Sequence, residues 1–145
     1  MPFSPRSSPR GWRLKEVRAE GLRWLRQAEN DLEYARLGLR EGFFAQVCFQ
    51  CQQICEKALK AIHYGQLGKR VVFGHSLVQL GAELSLEDDL RDELAVLDQY
   101  YIPARYPNGL PGALPYEVYT KGQAARALEA SLRVIELSRR ALREP

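Results

Sequence analysis

Apolar and small residues in the first part of the chain recur at steps of three and four, which is the spacing of one face of a helix. This spacing predicts a long helix from about residue 12 to residue 41, with Gly42 as the residue just past its end. Its inward positions are Leu14, Val17, Gly21, Leu25, Ala28, Leu32, Ala35 and Leu39.

The same period returns in four later segments. It predicts a second helix over about 43–64, a short third helix from Ser76, a fourth helix capped by Ser85 and a last helix from Thr120 to about residue 141. Ser76 with Gln79, and Thr120 with Gln123, have capping-box spacing. A loop over 102–115 contains four prolines, and no useful stretch alternates with period two. The sequence therefore predicts an all-α fold, a five-helix up-and-down bundle.

Length and composition indicate a single domain. The 145 residues suit one core, and the net charge of +3 does not by itself indicate nucleic acid. Residues 1–11 are predicted to be a flexible basic tail without the apolar core of a signal peptide, and residues 12–145 the domain. No apolar run is long enough to span a membrane. The lack of a signal peptide and of a membrane span, together with the odd count of three cysteines, predicts a cytoplasmic protein with reduced thiols.

The three cysteines lie at positions i, i+3 and i+7 of the second helix. Thiolates in this pattern can bind a soft metal, but a zinc site usually has four ligands. The chain has only two histidines, His63 and His75. We therefore predict that Cys48, Cys51 and Cys55 pack in the core, and we expect no metal and no cofactor.

The other face of the second helix is polar, with Gln53, Glu56, Lys57 and Lys60. Glu56 and Lys60 have the spacing of a helical ion pair, which is weak when exposed. A solvated face accounts for the charges. It accounts less well for the glutamines, whose amides could hydrogen-bond across a helix–helix or subunit interface.

Four motifs follow one another from about Trp24 to Pro107. They are Trp24, Ala28, Asp31, Leu32 and Ala35; Phe49, Gln52, Gln53, Glu56, Lys57, Leu59, Lys60 and Ala61; Gly74, His75, Ser76, Leu77 and Leu80; and Tyr101, Arg105, Tyr106 and Pro107. Together they resemble the HEPN domain family. The resemblance implies a five-helix bundle that dimerises. It also implies one of two functions, a nucleotide- or substrate-binding partner of minimal nucleotidyltransferases or a metal-independent ribonuclease.

The ribonuclease alternative assigns catalytic roles to Arg70 and His75, which have the Arg-then-His spacing of the family's nucleases. An imidazole can move the proton of a 2′-hydroxyl, and a guanidinium can hold the phosphate. Two departures weigh against this alternative, because Val71 follows the arginine and Gly74 predicts a turn before the histidine. In the structural alternative His75 caps the third helix and Arg70 is a surface charge.

A second candidate site comprises Lys57, Tyr101, Arg105 and Tyr106, since tyrosine rings can stack on a base while arginine binds phosphate. These residues could instead pin the proline-rich loop to the bundle, with Arg105 paired to a carboxylate. No phosphate-binding glycine loop or nucleotidyltransferase carboxylate signature is present. Our leading hypothesis is a homodimer that binds a nucleotide, RNA or another polyanion and pairs with a separate nucleotidyltransferase. A dimeric scaffold without a small ligand is the third alternative.

Overall fold

The computed structural model describes the backbone of residues 9–143 and the side chains of residues 14–143. Within that range the fold is all-α, as predicted, and contains no strand. Its elements are α1 (Pro9–Glu41), α2 (Phe44–Gly65), α3 (Leu77–Ala82), α4 (Asp88–Asp98), a single 3-10 turn (Pro107–Gly109), α5 (Pro115–Val118) and α6 (Lys121–Ala141). None of these helices combines the length and the apolarity that crossing a membrane requires.

The long helices α1, α2 and α6 form the body of the bundle. Gly42, with a φ of +86°, ends α1 and lets α2 return antiparallel to it. Near the other end of this pair, a Cβ on Gly21 would lie 2.8 Å from the carbonyl oxygen of Ala61. The two backbones therefore pack closely where α1 crosses the end of α2.

The α2 helix lies at the centre and is buried on almost every side. Cys48, Cys51 and Cys55 are fully buried, and the thiol of Cys55 lies 3.6 Å from the hydroxyl of Ser131 on α6. This burial confirms the prediction that the cysteines pack in the core. Among the residues that the structure describes, no group of side chains forms a cluster of potential metal ligands. The α3–α4 pair covers another side of α2 with Leu77, Leu80, Leu90, Leu94 and Leu97.

Several details differ from the sequence prediction. The α1 helix begins at Pro9 rather than near residue 12, and residues 1–8, most of the predicted tail, lie outside the described residues. Ser85 does not cap α4, which begins at Asp88 after Glu87 and has no side-chain cap. A short sixth helix, α5, follows the proline-rich loop because Pro115 suits a first helical position and Glu117 accepts the Leu114 amide at 3.0 Å.

One of the two predicted capping boxes forms completely, and the other forms only in part. Thr120 and Gln123 form a complete capping box at the start of α6. At α3 the Ser76 hydroxyl accepts the Gln79 amide at 3.2 Å, so Ser76, not His75, is the N-cap. The connections before α3 and after α4 both lie against the middle of α2. The candidate site is formed where these two connections contact α2.

Candidate functional site

A buried carboxylate on α2 is the centre of the site. The Glu56 side chain is 8% exposed, and its two oxygens have different partners. Oε2 accepts from the ammonium of Lys60 at 3.1 Å, and Oε1 lies 3.0 Å from Nδ1 of His75. Lys60 is also 5.5 Å from the centre of the Trp24 ring. The interpretation of Glu56 and Lys60 as part of a solvated face is therefore wrong, because α1 and the segment before α3 cover them.

The contact with Glu56 determines how His75 is oriented. An ionised carboxylate can only accept hydrogen bonds, so Nδ1 of His75 donates and carries a proton. Nε2 is left without that proton in the neutral ring, and the His75 side chain is 63% exposed. A carboxylate that fixes the tautomer and presents the other nitrogen outward is the arrangement expected of a histidine that transfers protons.

The backbone next to His75 is held by two further polar residues. The amide of Gln52 donates to the His75 carbonyl at 2.8 Å and lies 3.4 Å from Oδ1 of Asp98. Asp98, the last residue of α4, accepts the Leu77 amide at 2.9 Å, the Val78 amide at 3.1 Å and the Ser76 hydroxyl at 3.2 Å. Gln52 thus hydrogen-bonds across helices, one of the two options considered for the glutamines, whereas the Gln53 amide donates to Gln52 Oε1 within α2 at 2.7 Å. Asp98 was not identified from the sequence, where a carboxylate at a helix end carries no signal of a distant partner.

Aromatic rings and one arginine extend the site beyond His75. The His75 ring stacks on Tyr101 with centroids 5.3 Å apart, and the Tyr101 ring centroid lies 6.1 Å from that of Phe49. The guanidinium of Arg105 lies 4.4 Å from the ring centre of Phe49, 4.7 Å from Tyr101 and 4.8 Å from Tyr106. We call these five residues the Arg105 cluster.

The charge of Arg105 is not neutralised by a carboxylate within residues 9–143. Its Nε donates to the carbonyl of Tyr101 at 2.9 Å, and the side chain is exposed. The pairing of Arg105 with a carboxylate is therefore not found in this part of the chain, but its contact with Phe49 of α2 does attach the proline-rich loop to the bundle, as the structural alternative expected. The rings and the Tyr101 carbonyl hold the cation in place without cancelling its charge, which leaves it able to bind an anion.

Two residues singled out from the sequence lie apart from this cluster. Lys57 forms an ion pair with Asp31 of α1, and Asp31 also accepts from the Gln27 amide at 2.9 Å. Arg70 is exposed in the connection between α2 and α3 and makes no hydrogen bond or ion pair in the described structure. The structure therefore brings His75, Tyr101, Arg105 and Tyr106 together, but joins neither Lys57 nor Arg70 to them by a contact.

The cysteine thiols are poor candidates for nucleophiles. Burial raises the pKa of both Cys48 and Cys51 to about 12, and it raises the pKa of Cys55 as well. The thiolate is the reactive form, so these side chains are inert at neutral pH. The chemistry available to the site thus comes from His75, Arg105 and the rings.

A model of the HEPN domain family matches residues 22–141. The chain belongs to this family. It is 29% identical over 132 residues to the protein named "Putative toxin MJ1304" of Methanocaldococcus jannaschii, a match that covers 83% of this chain and 87% of that relative. The resemblance inferred from the four motifs is therefore confirmed.

Two solved structures have the same fold. TT1696 from Thermus thermophilus is 34% identical with a TM-score of 0.77, and the match covers 83% of this chain and 97% of that one. ST0689, an archaeal HEPN homologue, is 31% identical with a TM-score of 0.71, covering 85% of this chain and 98% of that one. The all-α HEPN bundle is thus shown by sequence and by structure.

Proposed function

We propose that this protein is a cytoplasmic HEPN module that binds a nucleotide or a related polyanion on the Arg105 cluster, as one member of a toxin–antitoxin-like pair. Its partner would be a separately encoded minimal nucleotidyltransferase, as the family resemblance implies. The observation that carries the binding proposal is the exposed Arg105 guanidinium, which lies against three rings and has no carboxylate partner among the described residues. The name of the Methanocaldococcus jannaschii relative supports the toxin part.

The cluster supplies the two contacts that a nucleotide requires. A guanidinium can bind a phosphate through two parallel N–H groups, and a tyrosine face can stack on a base. Tyr106 is 44% exposed, so one face of the cluster is open to a ligand. His75 adds a second positive charge when it is protonated.

Calorimetric titration with adenosine mono-, di- and triphosphate tests the binding. Arg105→Gln should weaken the binding of the triphosphate at least about tenfold, since hydrogen bonds to charged groups contribute roughly 1.5–3 kcal/mol. Arg36→Gln is the matched control, because Arg36 is an exposed arginine paired with Glu33 at 3.8 Å on α1. Absence of binding at millimolar nucleotide, or equal affinity in the Arg105 variant, would contradict the proposal.

The partner part is tested by the genes beside this one. We expect a small nucleotidyltransferase reading frame there, and its product should copurify with this protein after coexpression. A neighbourhood that contains no such gene, or two products that elute separately at micromolar concentration, would exclude this partner.

A second candidate function, metal-independent RNA cleavage, is favoured by the contact between Glu56 and His75. With Nδ1 held by the carboxylate, Nε2 can take the proton from a 2′-hydroxyl, whose oxygen then attacks the adjacent phosphorus. The 5′-oxygen leaves and receives the proton back from the imidazolium. Arg70, at the family's spacing from His75, would bind the phosphate.

Incubation of the purified protein with total RNA and a chelator tests this second function. Cleavage should persist with the chelator present and disappear in His75→Ala, while Arg70→Gln should slow it strongly. Intact RNA at high protein concentration would rule out the nuclease and leave the binding proposal unaffected.

A further inference from the structure

The segment that connects α2 to α3 presents three large apolar side chains to solvent, Leu67, Val71 and Phe73. Phe73 is 86% exposed, more than any other large apolar residue whose burial the structure describes. Neither the buried core nor the Arg105 cluster uses it. An exposed aromatic ring this close to a candidate site is a reason to look for a ligand that would cover it.

The residues on both sides of Phe73 are held in place by hydrogen bonds. On one side the Val72 amide donates to the Tyr64 hydroxyl at 3.3 Å, and the Val72 side chain packs against the core. On the other side His75 is held through its carbonyl by Gln52 and through its ring by Glu56. Gly74, with a φ of +100°, makes the turn between them. The segment that carries the ring is hydrogen-bonded on both sides, so binding a ligand would cost little conformational entropy.

The charge around Phe73 indicates the kind of ligand. Residues 66–75 contain Lys69, Arg70 and His75 and no acidic residue. Lys69 is paired with Glu83 at 2.7 Å, whereas Arg70 is exposed and has no ion-pair partner in the described part of the chain. Leu67 and Val71 are exposed in the same segment, but they alternate with Lys69 and Arg70. Basic residues interleaved with an exposed aromatic ring suit a phosphate strand with bases that stack.

We propose that Phe73 is a base-stacking site that extends the Arg105 cluster into a track for a single nucleic-acid strand of at least two nucleotides. Phe73 and His75 are two residues apart, so their backbones are separated by at most about 7 Å. One base would stack on Phe73, the next nucleotide would lie on the Arg105 cluster, and Arg70 would contact the phosphate between them. This inference rests on the proposed nucleotide binding and adds the length of the ligand.

The test compares a strand with a mononucleotide. The strand is a fluorescein-labelled 2′-O-methyl hexanucleotide without secondary structure, which lacks the free 2′-hydroxyl needed for cleavage. Its binding is measured by anisotropy, and that of adenosine monophosphate by calorimetry. Phe73→Ala should weaken hexanucleotide binding about tenfold, a typical loss for one stacked base, and leave the mononucleotide unchanged. Phe73→Trp should retain the affinity, and Phe73→Leu should not.

Tyr34→Ala is the matched control, because Tyr34 is an aromatic residue on α1 that is 63% exposed and lies outside the cluster. It should bind both ligands normally. If Phe73→Ala binds the hexanucleotide normally while Arg105→Gln does not, the stacking site is refuted and the proposed function stands. If the unaltered protein binds neither ligand, both proposals fail. If Phe73→Ala and Phe73→Leu instead turn a dimer into a monomer by light scattering, Phe73 belongs to a protein interface and the stacking proposal is overturned.

Discussion

Glu56 links the stability of the bundle to the chemistry of its site. A charge buried in a helical core is unfavourable unless it is paired and hydrogen-bonded. Here one carboxylate oxygen faces the buried Lys60 and the other faces the exposed His75. The same side chain therefore balances a core cation and sets the tautomer of the ring that faces solvent. Substitution of Glu56 should show two separate effects, one on unfolding and one on the reactivity of His75.

We expect Glu56→Gln to lower the free energy of unfolding by about 3 kcal/mol, because Lys60 would remain buried without its counter-charge. Urea denaturation measures this loss. The control is Glu33→Gln, since Glu33 is 70% exposed and lies 3.8 Å from Arg36. That exposed pair should contribute less than about 1 kcal/mol. Losses of similar size in the two variants would show that burial of the pair does not matter.

The cysteines should not react with thiol reagents in the folded protein. Burial raises the pKa of Cys48 and Cys51 from 9.0 to about 12, so they remain neutral at pH 8. We expect a chromogenic disulfide reagent to label no cysteine in the native protein and all three after denaturation. Rapid labelling without denaturant would contradict the buried placement.

The raised pKa of the buried cysteines also makes the stability of the protein depend on pH. Unfolded thiols lose their protons near pH 9.0, whereas the folded thiols keep theirs until about pH 12. The unfolded state therefore binds fewer protons in that interval, and stability falls as pH rises through it. Urea midpoints measured at neutral pH and at several values above 9.0 should decrease, and replacing Cys48 by Ala should reduce that decrease.

At the scale of elements, the short helix α3 depends on a side chain from another helix. It has six residues, too few to be stable from local interactions alone. Asp98 accepts the amides of Leu77 and Val78 at its N-terminus, where a negative charge is favourable. The same carboxylate also contacts Gln52, which holds the His75 carbonyl. The position of His75 is thus coupled to the packing of α4 on α2.

Asp98→Ala should lower the free energy of unfolding by about 1–3 kcal/mol, because the amides of Leu77 and Val78 would lose their acceptor at the start of α3. Hydrogen exchange should show the largest loss of protection in the amides of α3. Asp92→Ala is the control, since Asp92 is an exposed residue of the same helix. Unchanged exchange in α3 would mean that Asp98 does not hold this helix.

The crossing of α1 and α2 depends on the absence of a side chain at Gly21. A Cβ there would lie 2.8 Å from both the Ala61 carbonyl oxygen and the Gly65 Cα, and both are backbone atoms. Gly21→Ala should destabilise the protein by about 1–3 kcal/mol, despite the better helix propensity of alanine.

Gly122→Ala provides the contrast for that prediction. Gly122 lies in the first turn of α6, and a Cβ there would meet only the Thr120 hydroxyl, at 3.9 Å. It should raise the melting temperature slightly, by the equivalent of about 0.5 kcal/mol. A Gly21 variant that is also stabilised would refute the close approach of the two helices.

At the scale of the whole molecule, we expect the protein to be a homodimer, as the HEPN resemblance implies. One chain has a mass of 16.6 kDa, and light scattering at micromolar concentration should give twice that value. A mass of one chain over the accessible concentration range would contradict the expectation. The measurement also serves as the reference for the Phe73 variants.

The regular part of the fold was predictable, and its irregular parts were not. Apolar spacing located α1, α2 and α6 because each stripe spans several turns. It could not locate α5, since four residues are too few to show a period. The start of α4 was misplaced because Ser85 has the side chain of a cap, whereas the helix begins three residues later, at Asp88.

The sequence alone determined the helical architecture, the buried cysteine stripe and the family of the chain, through the motifs that contain His75 and Arg105. Each of these depends on order and spacing within one segment. The tertiary structure alone decided that Glu56 and Lys60 are buried and that Asp98 holds α3. Those facts depend on which segments cover α2, and the periodicity of a single helix contains no information about its neighbours. The site is therefore assembled by long-range packing from residues that local patterns could identify only one at a time.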